Sequence, residues 1–127
     1  MVRKIIVFTE KAPKPLGPYS QAVKTGSTLY VAGQVGIDPT TGKVVEGGIR
    51  EQTTQALKNM ENILLKAKMS LDNIAKVSVF ITKPEDFKPM NEVYMQFFKE
   101  KFPARTTVIV KFPSDQILVE IECIAQK

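Results

Sequence analysis

The stretch from Ile49 to about Lys68 places the strongest constraint on what this 127-residue chain can fold into. Its apolar side chains recur at the three- and four-residue spacing of one helix face, namely Ile49, Ala56, Leu57, Met60, Ile63, Leu64 and Ala67. A second helix is predicted to begin at Asp86-Phe87, and its apolar face is formed by Met90, Val93, Tyr94, Phe97 and Phe98. Two one-sided helices need a further layer of structure against which to bury those faces.

Segments rich in β-branched residues, or alternating between apolar and polar residues, supply that layer. They predict six strands, over Lys4–Thr9, Ser20–Lys24, Thr28–Ala32, Ile74–Thr82, Ala104–Phe112 and Ile117–Ala125. The order is then β-β-β-α-β-α-β-β. It predicts a single α+β domain over residues 1–127, with a mixed six-stranded sheet and both helices on one face. No third layer remains to cover the other face, so we expect the chain to form a homo-oligomer.

Arg105 stands out because the chain has 18 basic residues but uses arginine only at positions 3, 50 and 105. A planar guanidinium binds a carboxylate or a phosphate through two parallel hydrogen bonds, whereas lysine acts as a point charge. Arg105 also lies at the start of a β-branched run, where the chain is predicted to be extended.

The last two predicted strands bring Arg105 close to acidic residues. If they form a hairpin with Phe112 opposite Ile117, the two-residue period of each strand puts four polar residues on one sheet face: Arg105, Thr107, Glu120 and Glu122. This face is the one without helices, so the charged patch would lie at a subunit boundary. The same pattern also fits an ordinary cross-strand ion pair on a solvated face.

Composition excludes several kinds of site. The chain has no histidine, which removes Ser-His-Asp and Cys-His catalysis and leaves few ligands for a metal. Its one cysteine, Cys123, falls at an apolar strand position and is expected in the core. The net charge of +5 is spread over scattered lysines, so a nucleic acid partner is not expected, although weak RNA binding would need only charge.

The sequence also lacks a signal segment and any apolar run of about 18 residues. We therefore expect a cytoplasmic protein with no membrane partner.

Three further residues are candidates for a binding site. Tyr19 lies in a loop stiffened by three prolines, and rigid loops hold binding residues well, although Tyr19 also fits a simple packing role. Gly33 ends a strand where a ligand or another backbone can approach closely, and a β-bulge is the alternative. Asn91, near the start of the second helix, can donate to a substrate oxygen or act as a local cap.

Five blocks of the sequence, taken together, resemble the RidA/YjgF family of reactive-intermediate deaminases. They are Gly17–Ala22, Val31–Gln34, Asp86–Phe98, Phe102–Arg105 and Val119–Glu122, and the resemblance extends over essentially the whole chain. It implies a chorismate-mutase-like subunit that assembles as a homotrimer with three clefts between subunits. It also implies hydrolysis of 2-imino acids, such as 2-iminobutanoate and 2-iminopropanoate, to 2-keto acids and ammonia. The reaction would need no metal or organic cofactor and would protect pyridoxal-phosphate enzymes from these imines.

The resemblance implies roles for five residues. Arg105 matches the arginine that binds the substrate carboxylate, and Glu120 matches the acid that positions or activates the attacking water. Tyr19, Gly33 and Asn91 match residues that line the cleft, Gly33 through its backbone.

Two positions depart from the family pattern. Thr107 stands where many members have cysteine, and Ala32 stands where several have serine. Imine hydrolysis does not need the thiol if the backbone at Thr107 is what contacts substrate. We expect the missing serine hydroxyl at position 32 to affect which imines are hydrolysed and how fast.

Two other functions fit the same sequence. One is a non-enzymatic regulatory protein that binds small carboxylates in the same cleft. The other is the RNA cleavage or chaperone behaviour claimed for related sequences, although a chain without histidine has no obvious acid–base pair for cutting RNA.

Overall fold

In a computed structural model, which describes residues 3–127, the chain folds into a six-stranded sheet with two helices packed on one face. The elements are β1 (Lys4–Val7), β2 (Ala22–Thr25), β3 (Thr28–Val35), β4 (Ile37–Asp38), β5 (Lys43–Val44), α1 (Ile49–Lys66), β6 (Ile74–Ile81), α2 (Phe87–Phe97), β7 (Ala104–Ile109) and β8 (Val119–Gln126). The predicted order of the six main strands and two helices is confirmed, and with it the α+β class. The two-residue strands β4 and β5 form a separate small hairpin that is not among the six predicted strands.

Helix α1 packs on β3 and β8, and α2 packs beside α1. The Glu51 carboxylate accepts a hydrogen bond from the Gly48 N–H at 2.8 Å, which caps the start of α1. The side chains that fill the space between helices and sheet are almost completely buried, and they include Leu29, Leu57, Met60, Ile63, Leu64, Val77, Val79, Val119 and Ile121. Neither helix in the described part of the chain is long and apolar enough to cross a membrane.

The sheet order is β1-β2-β3-β8-β6-β7, so the last strand in sequence lies in the interior of the sheet. Strand β8 pairs antiparallel with both β3 and β6, whereas β7 lies at the edge and pairs parallel with β6. A parallel pair needs a crossover connection, and α2 supplies it between β6 and β7.

This topology shows that the predicted hairpin between the last two strands is wrong. Arg105 pairs with Val77 of β6, whereas Glu120 pairs with Phe80, which lies three residues further along the same strand. Because Val77 and Phe80 point to opposite faces, Arg105 and Thr107 lie on the helix side, and Glu120 and Glu122 lie on the open side. The residues that share a face within each strand are as predicted, but the face of β7 is not, because Arg105 and Thr107 were expected on the face without helices and lie on the helix side. The error was to assume that strands adjacent in sequence are also adjacent in the sheet.

The open face of the sheet is largely apolar. A row of paired residues crosses it from β1 to β6, and four large side chains on this face are between 38% and 56% exposed: Ile6, Tyr30, Val108 and Ile124. An exposed apolar sheet face of this kind is typical of a surface that binds another protein.

Replacing Leu57 by alanine is expected to lower the free energy of unfolding by about 2–5 kcal/mol, because Leu57 is fully buried in the helix–sheet interface and its loss leaves a cavity. Leu65→Ala on the same helix is the matched control, since Leu65 is 57% exposed and its loss should cost no more than about 0.5 kcal/mol. Urea denaturation at one fixed protein concentration measures both values. Equal losses in the two variants would contradict the packing described.

Candidate active site

Arg105 lies at the edge of the sheet, where α2 covers the helix side. The Cζ atom of its guanidinium is 4.7 Å from the centre of the Tyr94 ring and 5.7 Å from that of Phe87. Tyr94 is in turn stacked on Phe98, with ring centres 4.6 Å apart. Contacts of a guanidinium with aromatic faces stabilise it and limit its movement. The cation is therefore held in one orientation before any ligand binds.

No carboxylate within residues 3–127 lies within salt-bridge distance of Arg105, although the chain does form such a pair between Arg50 and Glu92. Arg105 instead lines a cavity of about 280 Å³ together with Asn91, Tyr94, Met95, Phe102 and Pro103. A half-buried guanidinium that faces a cavity and lacks an anion is suited to binding one.

Two polar atoms near Arg105, Asn91 Oδ1 and Thr107 Oγ1, are buried without a hydrogen-bond partner among the described residues, and the Tyr94 hydroxyl is buried beside the guanidinium. Burial raises the pKa of Tyr94, and the opposing effect of the Arg105 charge is smaller, so the hydroxyl stays protonated. Unpaired buried polar atoms are rare in folded proteins, and two near one cation are typical of a functional site. Arg105 and Asn91 line the same cavity, and Thr107 lies two residues along β7 on the same face, so these three residues form a first candidate half-site.

Glu120 belongs to a second half-site on the opposite face of the sheet. Its carboxylate lines a cavity of about 120 Å³, which is also lined by Lys14, Tyr19 and Gly33. A Cβ atom placed on Gly33 would lie 2.2 Å from Glu120 Oε2, so only glycine allows this close approach. The pairing of β3 with β8 is also irregular between Val31 and Gln34, which confirms the predicted β-bulge at Gly33. The group that approaches Gly33 within the subunit is the side chain of Glu120, and contact of Gly33 with a ligand stays a prediction.

The surroundings of Glu120 hold its proton more tightly than usual. Partial burial raises the pKa of Glu120, and the nearby negative charge of Glu122 raises it further. No cation among the described residues lies within salt-bridge distance of Glu120 to oppose these effects. A carboxylate with a raised pKa is a better proton acceptor than an ordinary glutamate and is suited to general base catalysis.

Tyr19 is 54% exposed at the tip of the loop between β1 and β2. The Leu16 N–H donates a hydrogen bond of 3.3 Å to the Tyr19 hydroxyl, so the ring folds back over its own turn. The ring then borders the Glu120 cavity and offers its remaining surface to solvent.

The predicted site residues therefore form two groups, not one. Strand β7 is the second neighbour of β8, and the β6 partners of Arg105 and Glu120 are three residues apart, so the two backbone positions are about 14 Å apart and their side chains point to opposite faces. A ligand of a few atoms cannot contact both side chains of one subunit. Both groups lie at the surface of the subunit, where a second copy of the chain can approach.

Tyr94 is buried in the core as predicted, but its ring also contacts Arg105, which the sequence alone does not predict. The available signal was the seven-residue spacing of Phe87 and Tyr94, which places both rings on the same side of the helix. Cys123 is buried as predicted, and burial raises its pKa to about 12, so its thiol stays protonated and inert. No three His, Cys, Asp or Glu side chains within residues 3–127 lie close enough together to hold a metal ion.

Comparison with known proteins gives consistent results. The sequence model of a family described as Endoribonuclease L-PSP matches residues 9–127. A RutC family protein of Pyrococcus horikoshii is 50% identical over 124 residues, which are 98% of each chain. The human 2-iminobutanoate/2-iminopropanoate deaminase is 43% identical over 125 residues, which cover 98% of this chain and 90% of the human one.

Solved structures agree with the sequence matches. A Yersinia pestis protein of the conserved Rid family is 43% identical and superposes with a TM-score of 0.94, covering 98% of this chain and 100% of the other. The family model over residues 9–127, the sequence identity to the relatives and the match over the whole fold show that this chain belongs to the RidA/YjgF family, whose sequence model is the one described as Endoribonuclease L-PSP.

Proposed function

We propose that this protein hydrolyses 2-imino acids, including 2-iminobutanoate and 2-iminopropanoate, to 2-keto acids and ammonia in a site shared between two subunits of a homotrimer. The observation that carries the proposal is the unpaired guanidinium of Arg105, held against Phe87 and Tyr94 beside an open cavity. The name of the human relative supports the reaction class.

The charges of the two half-sites match the two ends of such a substrate. A protonated 2-imino acid carries a carboxylate on one carbon and a cationic iminium on the next. Arg105 would bind the carboxylate through two parallel hydrogen bonds, each worth about 1.5–3 kcal/mol. Glu120 of the neighbouring subunit would then face the iminium carbon and its positive charge.

Glu120 is suited to deliver water to that carbon. Its carboxylate would accept a proton from a water molecule while the water oxygen forms a bond to the iminium carbon. The nitrogen of the resulting carbinolamine would take that proton back from Glu120, which returns Glu120 to its carboxylate form. The C–N bond then breaks as the carbonyl forms, and the hydroxyl proton leaves with the ammonia as an ammonium ion. Because these imines hydrolyse readily in water, orientation by two fixed groups is sufficient catalysis.

Assembly of subunits is the simplest way to join the half-sites. The open face that carries Glu120 also exposes large apolar side chains, and the edge strand β7 that carries Arg105 is unpaired on its outer side. A cyclic trimer, as the family resemblance implies, would repeat one contact three times and create three equivalent sites. The same assembly would cover the exposed side chains of Ile6, Tyr30 and Val108.

Arg105→Ala is expected to abolish imine hydrolysis, and Arg105→Lys to lower kcat/KM by about 10- to 150-fold, because lysine keeps the charge but loses the planar pair of donors. The assay uses a threonine dehydratase to generate 2-iminobutanoate and semicarbazide to trap the imine that persists. Arg50→Lys is the matched control, since Arg50 pairs with Glu92 on the exposed surface and should change kcat/KM by no more than about twofold. Full activity in Arg105→Ala would refute the proposed site. A wild-type protein without effect on trapping would leave a carboxylate-binding role as the function.

The pH dependence of kcat/KM should follow the protonation of Glu120. Activity should fall as the pH drops and Glu120 takes up a proton, because the protonated acid cannot accept one from water. Glu122→Gln removes a charge that raises the pKa of Glu120, so it should shift the midpoint of this fall to lower pH. Glu61→Gln, on the outer part of α1, makes the same change of charge elsewhere and should leave the midpoint in place. An unchanged or higher midpoint in Glu122→Gln would contradict the role given to Glu120.

Two inactive variants should restore activity when mixed, if each site takes Arg105 from one subunit and Glu120 from the next. Random trimers formed by unfolding and refolding equal amounts of Arg105→Ala and Glu120→Gln would contain intact sites amounting to about one quarter of the wild-type number. The measurement is the rate of imine removal by the refolded mixture, compared with each variant refolded alone. No recovery of activity, despite mass-spectrometric detection of mixed trimers, would show that the site is not shared in this way.

A further inference from the structure

The loop between β1 and β2 brings Lys14 and Tyr19 to the cavity of Glu120, yet its own backbone can do little to fix its shape. Prolines at positions 13, 15 and 18 have no N–H to donate. Between residues 8 and 20 the described backbone forms one internal hydrogen bond, from the Tyr19 N–H to the Gly17 carbonyl at 2.8 Å. Something outside the loop backbone must therefore hold these residues over Glu120.

The side chain of Gln21 is placed to do so. It is only 2% exposed, and its Oε1 accepts a hydrogen bond from the Thr9 N–H at 2.8 Å. Its Nε2 lies within hydrogen-bond distance of three carbonyl oxygens, at 2.9 Å from Thr9, 3.0 Å from Pro13 and 3.3 Å from Ala12. One amide group thus binds both the start of the loop and the segment that leads into Lys14.

The backbone of Gln21 contacts the strand that borders the second half-site. Its carbonyl accepts a hydrogen bond of 2.9 Å from the Ala32 N–H, and Ala32 directly precedes Gly33, on which the Glu120 carboxylate rests. We propose that Gln21 is a positioning residue of the candidate site, whose side-chain amide fixes the β1–β2 loop and holds Lys14 and Tyr19 over Glu120. The catalytic part of this inference rests on the proposed function, whereas the fixing of the loop does not.

An amide is required at position 21 because the groups around this side chain are one N–H donor, that of Thr9, and three carbonyl acceptors, those of Thr9, Ala12 and Pro13. Methionine has a similar length but can neither accept from the Thr9 N–H nor donate to the carbonyls, and these buried groups would lose their partners. Glutamate could accept from Thr9, but an ionised carboxylate would repel the three carbonyl oxygens. Asn62 also binds the loop, through a hydrogen bond of 3.0 Å from its Nδ2 to the Lys11 carbonyl, but this bond is exposed and water can replace it.

The test compares Gln21→Met with two controls. Asn62→Ala removes the exposed hydrogen bond to the same loop. Ile74→Ala removes a buried side chain at the first residue of β6, where Ile74 pairs with Ala125, and so destabilises the fold outside the loop. Amide hydrogen exchange of peptides covering residues 10–20 reports on the loop directly. Steady-state kinetics with 2-iminobutanoate and the unfolding temperature are measured on the same samples.

Gln21→Met is expected to raise exchange in residues 10–20 by about tenfold or more and to lower kcat/KM by about tenfold or more, since displacing a substrate-positioning group by about 1 Å can cost up to about a hundredfold. Asn62→Ala should stay within about twofold of wild type in both measurements, because water replaces its bond. Ile74→Ala should lower the unfolding temperature at least as much as Gln21→Met does, without a local rise in loop exchange.

Unchanged loop exchange in Gln21→Met would overturn the proposal. The proposal would also be overturned if Ile74→Ala lost as much kcat/KM as Gln21→Met at the same loss of stability. The loss of kcat/KM would then come from destabilisation of the whole fold and not from the loop. If the wild-type protein does not hydrolyse the imine, the proposed function fails, and loop exchange alone decides whether Gln21 fixes the loop.

Discussion

The placement of β8 between β3 and β6 determines most of this structure. One side of β8 supplies Val119, Ile121, Cys123 and Ala125 to the core under the helices. Because successive side chains of a strand alternate, the other side must carry Glu120 and Glu122 on the open face. Strand β7 is then left at the edge, beyond β6, and its parallel pairing puts Arg105 under α2. The core and both half-sites are thus consequences of one strand position.

Each half-site holds a charge that its own subunit does not neutralise. Arg105 is stabilised by the faces of two aromatic rings instead of a carboxylate. Glu120 is left with a raised pKa, because burial and Glu122 both oppose its ionisation. A ligand with a negative and a positive end would relieve both conditions at once if a second subunit brought the two charges together. The opposite signs of the half-sites thus favour a dipolar ligand over a purely anionic one such as RNA.

The sequence predicts the helices and strands of this chain well, but it does not predict which strands lie next to each other in the sheet. The helical spacing of α1 and the apolar alternation of β8 are local properties, so they could be read without knowing the fold. Which strands pair depends on the crossover through α2, and nothing in the residues from Ala104 to Ala125 distinguishes a hairpin from strands separated by β6. Arg105 and Glu120 were therefore identified correctly as unusual residues but were placed on the same face. The aromatic contacts of Arg105 were missed for the same reason, since they depend on how α2 lies over β7.

The two departures from the family pattern affect the half-sites differently. Thr107 keeps a polar group in the place of a thiol, and its buried hydroxyl has no partner among the described residues, so the polarity around Arg105 is preserved. Ala32 removes a hydroxyl near Glu120, yet its backbone remains engaged, because its N–H donates to Gln21 and its carbonyl accepts from the Gln34 side chain at 3.2 Å. The path of the chain past Gly33 is thus fixed by backbone bonds that do not depend on the side chain at position 32.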